Sequence, residues 1–375
     1  MDSRSNHLCG KNTDRQIGDT MKINDTTIGA GNKPYIVAEM SGNHDGSLDT
    51  ALNIVDAAAE AGADAVKLQT FTADSMTLDI EHPDFVINNP ESLWYGRRIY
   101  ELYQEAHTPW EWHGPIFERA RERGIVCFSS PFDRQSVDFL VELGAPCLKI
   151  ASLESIDHDL VGYAAATGLP LIISTGLATE DEIAESVDVA RRAGCVDLMI
   201  LKCTSSYPAD PNEANLRTIP DMRERYGLEV GLSDHTLGIG VPIASVAFGA
   251  SLIEKHFTLS REGRGVDAKF SLEPKELAAL VEESARAHNS LGSVHYGPTD
   301  GEKPAMMRRR SLYFVEDVAA GETIGENAVR SIRPNKGIAP KYLTDVIGRV
   351  APADISRGTP VTWDLLEPTA GVNGQ

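Results

Sequence analysis

Residues 251–258 read SLIEKHFT, a stretch that opens as a buried strand and closes on ionisable groups. Leu252 and Ile253 are followed by Glu254, Lys255 and His256, then Phe257. Charges rarely occupy a buried strand unless they are paired or bind something. The same texture recurs upstream in seven more apolar runs: PYIVAEM (34–40), AVKLQT (65–70), VCFSSP (126–131), CLKIAS (147–152), PLIISTG (170–176), LMILKCT (198–204) and LEVGLSD (228–234). Helix-like segments separate them, such as SLDTALNIVDAAAEAG (47–62), EDEIAESVDVARRAG (180–194) and EPKELAALVEESARAHNSLG (273–292). Each begins near Ser, Asp or Glu and stops at Gly. Continuous apolar strands alternating with helices indicate a parallel sheet covered on both faces. Eight such units predict a (β/α)8 TIM barrel. A doubly wound open sheet is the alternative, but no GxGxxG follows the first run.

The active site of such a barrel lies at the carboxyl ends of its strands. Every run turns polar at that end. The first closes on Glu39, Ser41, Asn43 and His44, and the second holds Lys67 and Gln69. Ser129 and Ser130 end the third, Lys149, Ser152 and Glu154 the fourth, Ser174 and Thr175 the fifth. Lys202, Thr204, Ser205 and Tyr207 end the sixth, and Ser233, Asp234 and His235 the seventh. Helix capping accounts for some Ser and Asp at these places. It does not account for Lys67, Lys149 and Lys255 inside apolar runs.

Three chemistries fit this rim. Lysines with hydroxyls suit a phosphate and its acceptor oxygens. A strand-end lysine also suits Schiff-base chemistry of the aldolase kind. His235 and His256 end consecutive runs, so they fall side by side, as in an open divalent-metal site.

The net charge of -20 over 375 residues argues against a nucleic-acid or membrane-surface binder. No apolar run approaches the roughly 18 residues of a membrane span. The five cysteines are an odd number without zinc spacing, which suits a reducing, cytoplasmic setting. Residues 1–25 are polar and read as a disordered or tag-like extension, leaving 26–292 for the barrel. The interval from Phe71 to Trp110 is long and aromatic, which reads as a substrate lid or a packing flap. Residues 293–310 read as a linker. From Ser311 to residue 375 the chain alternates in period two with many Gly and Pro, predicting a small all-β module.

The motifs AEMSGNHDGS, GADAVKLQT, KIASLE, STGLA, KCTSSYP, GLSDHT and EKHFTL, in this order, resemble those of the sialic acid synthase family. RPNKGIAP (333–340) and ISRGTPVTW (355–363) are similar to its C-terminal antifreeze-like (SAF) β-clip domain. Within the family, LWYGRRIYELYQEAHTPWEWH (93–113) and AEMSGNH look most like the pseudaminic acid branch, with the legionaminic and N-acetylneuraminic branches as alternatives. The resemblance implies condensation of phosphoenolpyruvate with an open-chain amino sugar to a nine-carbon 2-keto acid, phosphate leaving by carbon–oxygen cleavage. It implies a divalent metal (Mn, Mg or Co) on His235 and His256. It implies Glu39 as the group that activates water, and Lys67 and Lys149 as catalytic cations. Ser130, Ser152, Ser174, Ser205 and Ser233 would hold phosphate and carboxylate. Gln69, Glu154, Tyr207 and Asp267 would orient the sugar. It further implies a domain-swapped homodimer in which Arg333 of one chain reaches the sugar in the other. Asn335 stands where the family usually has Gly, a position where Asn tolerates a positive φ. Rival readings are a Schiff-base aldolase and a non-catalytic carbohydrate-binding protein.

Overall fold

The computed structural model describes residues 20–29 and 31–367. The chain divides between Gly292 and Ser293 into two compact units. In the first, eight parallel strands close into a barrel: β3 (Tyr35–Glu39), β4 (Ala65–Thr70), β5 (Val126–Pro131), β6 (Leu148–Ile150), β7 (Leu171–Ser174), β8 (Leu198–Cys203), β9 (Glu229–Asp234) and β10 (Leu252–His256). β10 pairs with β3 to shut the ring, with His256 opposite Glu39. Each of the eight apolar runs has become one strand.

The strands are apolar on both faces because both are buried. Outward positions such as Ile36, Val66, Ile150, Ile200, Val230 and Ile253 pack in one cluster with helix residues such as Ile54, Leu140, Val187 and Leu280. The helices that cover them start where side-chain oxygens can take up free amides. Ser47 Oγ accepts from Thr50 N at 3.3 Å, and Thr179 and Glu182 cap each other's backbone.

Inward positions Val37, Ala65, Phe128, Cys147, Ile172, Met199, Leu201 and Leu252 form a second cluster. Tyr35 of β3 joins them, and the cluster's remaining members are Met21, Ile23 and Ile28. Met21, Ile23 and Ile28 come from an antiparallel hairpin, β1 (Met21–Ile23) and β2 (Thr26–Ile28). The expected extension through residue 25 is therefore corrected at its end. Residues 21–25 belong to a hairpin that packs on the inner apolar layer, and each of its buried apolar side chains contributes about 1.5–3 kcal/mol. The rest of that expectation, residues 1–19, lies outside the described residues.

The interval after β4 is ordered. It carries short helices at Ala73–Met76 and Ile99–Ala106, and a hairpin-like turn closed by the Val86–Arg98 bridge.

Residues 293–310, read from the sequence as a linker, fall within the second unit and contain a 3-10 helix, Lys303–Arg308. Its β module has two regular strands, β11 (Ser311–Phe314) and β12 (Val329–Ile332), antiparallel. Single bridges such as Val318–Ile355 and Thr323–Val350 complete the pairing around Leu312, Phe314, Ile324, Val346 and Val361. The period-two pattern is real, but most pairings are too short to form ladders. In the RPNKG turn, Asn335 does not take a positive φ. The demand for glycine falls instead on Gly337, where a Cβ would meet the Leu312 carbonyl at 2.1 Å.

Candidate active site

Strand alternation decides which polar groups enter the barrel. Val37 faces in, so Glu39 two residues later does too. The same step carries Ala65 to Lys67 and Gln69, Phe128 to Ser130, Cys147 to Lys149, and Leu252 to Glu254 and His256. Four of these meet as a buried charge cluster. Lys67 Nζ lies 2.6 Å from Glu39 Oε2 and 3.9 Å from Glu254 Oε1. Lys149 Nζ donates to Glu254 Oε1 at 2.6 Å. Ser130 Oγ accepts from Lys67 at 3.3 Å, and Ser233 Oγ donates to Glu254 at 3.3 Å.

The electrostatics differ between the two carboxylates. Burial lifts the Glu39 carboxyl to about 7, against the pull of Lys67. Burial also works against charge on Glu254, but Lys149 and Lys67 hold its pKa below the ordinary value. Burial opposes the Lys67 ammonium too, yet Glu254 and Glu39 outweigh it and hold its pKa up. Lys67, held charged in this way, is not the neutral amine that a Schiff-base mechanism needs.

Beside this cluster, the ends of β6, β7 and β8 gather hydroxyls. Ser152 Oγ accepts from Gly176 N at 3.0 Å. A Cβ on Gly176 would meet Ser205 Oγ at 2.1 Å and Ser152 Oγ at 2.9 Å, so glycine is required for these two serines to converge. Ser174 Oγ is buried without a hydrogen-bond partner, as is Glu254 Oε2. Buried polar atoms left open in this way mark a place for a ligand rather than a finished core.

On the other side, the rings of His235 and His256 stand 5.2 Å apart, with Tyr207 4.4 Å from His235 and Phe270 4.9 Å from His256. Asp267 Oδ2 lies 3.6 Å from His256 Nδ1 and accepts a short bond from Ser41 Oγ. Ser41 takes φ +46°, strained for a non-glycine residue. In that conformation its Oγ also accepts from Gln69 Nε2, whose amide donates to Glu39 Oε1 at 2.8 Å. Glu154 lies at the start of the β6–α loop, partly buried, its carboxyl lifted to about 7 by that burial.

The sequence profile of the NeuB family matches residues 54–296. The chain belongs to the NeuB family. A SAF domain profile matches residues 309–367. The chain is 43% identical to a pseudaminic acid synthase of Campylobacter jejuni over 87% of its own length and 94% of that protein. It is 37% identical to an N,N'-diacetyllegionaminic acid synthase of Legionella pneumophila over 94% of this chain and all of that one, 100%. Among solved structures, an N-acetylneuraminic acid synthetase of Leptospira borgpetersenii superposes with a TM-score of 0.68 at 33% identity, covering 77% of this chain and 95% of that one.

NeuB membership makes a metal at the two histidines the first question of fit. His235 Nδ1 lies 2.9 Å from the Thr204 carbonyl, a bond that fixes a proton on Nδ1 and makes Nε2 the nitrogen that would face a cation. Burial opposes charge on this ring, but the Cys203 thiol and the Thr204 carbonyl outweigh it and raise its pKa, so a cation would bind there in competition with a proton. Burial, with the Lys67 and Lys149 ammonium groups nearby, pushes the His256 pKa well below its ordinary value, which favours the neutral, ligating form. His256 Nδ1 is a buried nitrogen without a hydrogen-bond partner. The pair therefore fits a divalent cation. Among the described residues no third His, Cys, Asp or Glu completes a ligand cluster, so oxygens from water or substrate would fill the other positions.

Three residues required the structure. Glu254 sits at the centre of the charge cluster, and its two-residue spacing from His256 was the available signal. Lys255, adjacent to Glu254 in sequence, does not share its side of the strand. It instead faces outward on β10 and pairs with Asp234 Oδ2 at 2.8 Å. Lys202 also faces out, donating to the Cys203 carbonyl at 2.9 Å. Arg333 lies at the end of β12 in the second unit, exposed in the single chain.

Proposed function

We propose that the barrel condenses phosphoenolpyruvate with 2,4-diacetamido-2,4,6-trideoxy-L-altrose, giving pseudaminic acid and phosphate. The observation that carries this reading is the side-by-side placement of a lysine pair and a histidine pair at one barrel mouth. One pair suits a phosphate and carboxylate, the other a cation. The choice of sugar rests on the 43% identity to a pseudaminic acid synthase against 37% to a legionaminic one.

Lys67 and Lys149 receive the anionic end of phosphoenolpyruvate, with Ser130, Ser152, Ser174, Ser205 and Ser233 as neutral donors around it. Binding releases Glu254 from part of its ion pairing. Gln69, Glu154, Tyr207 and Asp267 orient the sugar so that its aldehyde faces carbon 3 of phosphoenolpyruvate. A divalent cation bound by His235 and His256 supplies Lewis-acid polarisation of that aldehyde. As the new carbon–carbon bond forms, positive charge grows on carbon 2. Glu39, with a pKa near 7, takes a proton from the water that adds there. The resulting hemiketal phosphate loses phosphate by carbon–oxygen cleavage. A second copy of the chain completes the site by bringing its own Arg333 to the sugar. The four buried free cysteines agree with a reducing cytoplasmic setting, and among the described residues no helix is long and apolar enough to cross a membrane.

The test is phosphate release from phosphoenolpyruvate with Mn2+, Mg2+ or Co2+, using the altrose sugar, the legionaminic precursor and N-acetylmannosamine. Turnover with the altrose sugar, lost with EDTA and in His256→Ala, is the expected result. Preference for another sugar moves the branch and keeps the chemistry. Phosphate release that survives EDTA and His256→Ala overturns the metal assignment.

A further inference from the structure

We propose that Trp94 is a specificity-determining residue, its indole forming an apolar wall of the sugar subsite. The inference rests on the synthase reading above and deepens it. Trp94 sits on the long segment after β4. There the backbone doubles back between Ile87 and Arg97, closed by Gly96 N to Ile87 O at 2.8 Å and Ile87 N to Arg97 O at 3.0 Å. Ion pairs from Arg98 to Asp79 and Glu101, and from Arg97 to Glu105, brace the turn.

Trp94 is pinned at two points. Its Nε1 donates to the Val266 carbonyl at 3.0 Å, and its ring lies 6.0 Å from that of Tyr207. Val266 is itself tightly held. A Cβ on Gly42 would meet Val266 Cγ2 at 2.6 Å, and one on Gly265 would meet Asn43 at 2.6 Å, so the β10 loop packs directly on the β3 loop. The residue after Val266 is Asp267, beside His256, while Tyr207 stacks beside His235. One indole thus joins loops from three strands, and its two contacts lead to the imidazoles, through Tyr207 to His235 and through the residue after Val266 to His256. It remains partly exposed, so it offers surface to a ligand. Its chemistry suits an acetamido methyl or a deoxy methyl, and disfavours a hydroxyl in the same place.

The experiment compares wild type, Trp94→Ala and Trp94→Phe. It measures KM and kcat for phosphoenolpyruvate, the diacetamido-trideoxy sugar and N-acetylmannosamine, which lacks one acetamido group and keeps its 6-hydroxyl. Trp94→Ala should raise KM for the preferred sugar by about 10–200-fold, the range of an apolar pocket contact. It should lower the preference over N-acetylmannosamine and leave KM for phosphoenolpyruvate unchanged. Trp94→Phe, which keeps an apolar face without the Nε1 bond, should recover most of the preference. An unchanged sugar preference in Trp94→Ala overturns the proposal. So does an equal loss for every sugar with a raised KM for phosphoenolpyruvate, which is the mark of a merely structural residue. If wild type uses another sugar, the synthase assignment moves and Trp94 is judged on that sugar by the same split.

Discussion

Two buried charge clusters sit back to back across strand β10. Glu254 faces the barrel interior, and Lys255, the next residue, faces the helices. The outer cluster is closed on itself. Lys255, 1% exposed, donates to Asp234 and to the Thr236 carbonyl, and Asp234 accepts in turn from the Thr236 hydroxyl and amide. The inner cluster is open: Glu254 Oε2 and the nearby Ser174 Oγ have no partner. Both clusters carry the cost of burying charge. Only the inner one keeps unused donors and acceptors at the mouth where a ligand arrives. A satisfied ion pair is a brace for the turn that carries His235, whereas an unsatisfied one leaves buried atoms open to a ligand.

The largest effect expected from this contrast is on catalysis in the inner cluster. Glu39→Gln should lower kcat by about 10²–10⁴-fold, the usual worth of a positioned base, with the thermal transition retained. The base acts only when ionised, and burial places its pKa at about 7. The rate should therefore fall as pH drops through that value. Glu154 is also lifted to about 7, so the two must be separated. The acid limb of the kcat profile should persist in Glu154→Gln and vanish from the residual rate of Glu39→Gln. A limb that disappears with Glu154 instead would give the base role to the wrong side of the site.

The outer cluster should answer in stability rather than turnover. Lys255→Met leaves Asp234 buried without its counter-charge, which costs about 3–5 kcal/mol. Lys255→Met with Asp234→Asn should recover much of that loss, because no lone charge remains. Denaturant unfolding measures both. If the single variant unfolds normally but loses phosphoenolpyruvate binding, the division between brace and site fails.

The same contrast shows what the sequence could and could not tell. All eight barrel strands were legible, because a strand buried on both faces is written as a continuous apolar run. That same property hides direction: in such a run Lys67 and Lys255 look alike, although one faces the site and the other the helices. Period-two spacing resolves them once a reference residue is known. Glu254 then follows from His256, and Lys255 and Lys202 drop out. The β1–β2 hairpin was illegible for a different reason. Its strands have three residues each, and its buried side chains are completed by the inner apolar layer of the barrel, far away in sequence. The closeness of Ser152 and Ser205 depends on the absent side chain of Gly176, a three-strand coincidence that no local pattern records.

The smallest of these effects is the one that separates the two lysines of the inner cluster. Lys149 has a single close carboxylate, Glu254, whereas Lys67 is held mainly by Glu39. Lys149→Met should therefore remove one charge-assisted contact to phosphoenolpyruvate, worth about 1.5–3 kcal/mol, and disturb the base less than the loss of Lys67 does, because Lys149 acts on Glu39 more weakly than Lys67. That corresponds to a rise in KM of about 10–150-fold at 1.4 kcal/mol per decade. Lys67→Met should raise KM too. It also removes the cation beside Glu39, so the acid limb should move to higher pH, since the carboxylate loses its main opposing charge. A KM effect in both variants, with a smaller movement of the limb in Lys149→Met than in Lys67→Met, is the expected pattern. Equal shifts of the limb in the two variants would mean that the cluster titrates as one unit, and that Glu39 and Glu254 share the role assigned here to Glu39.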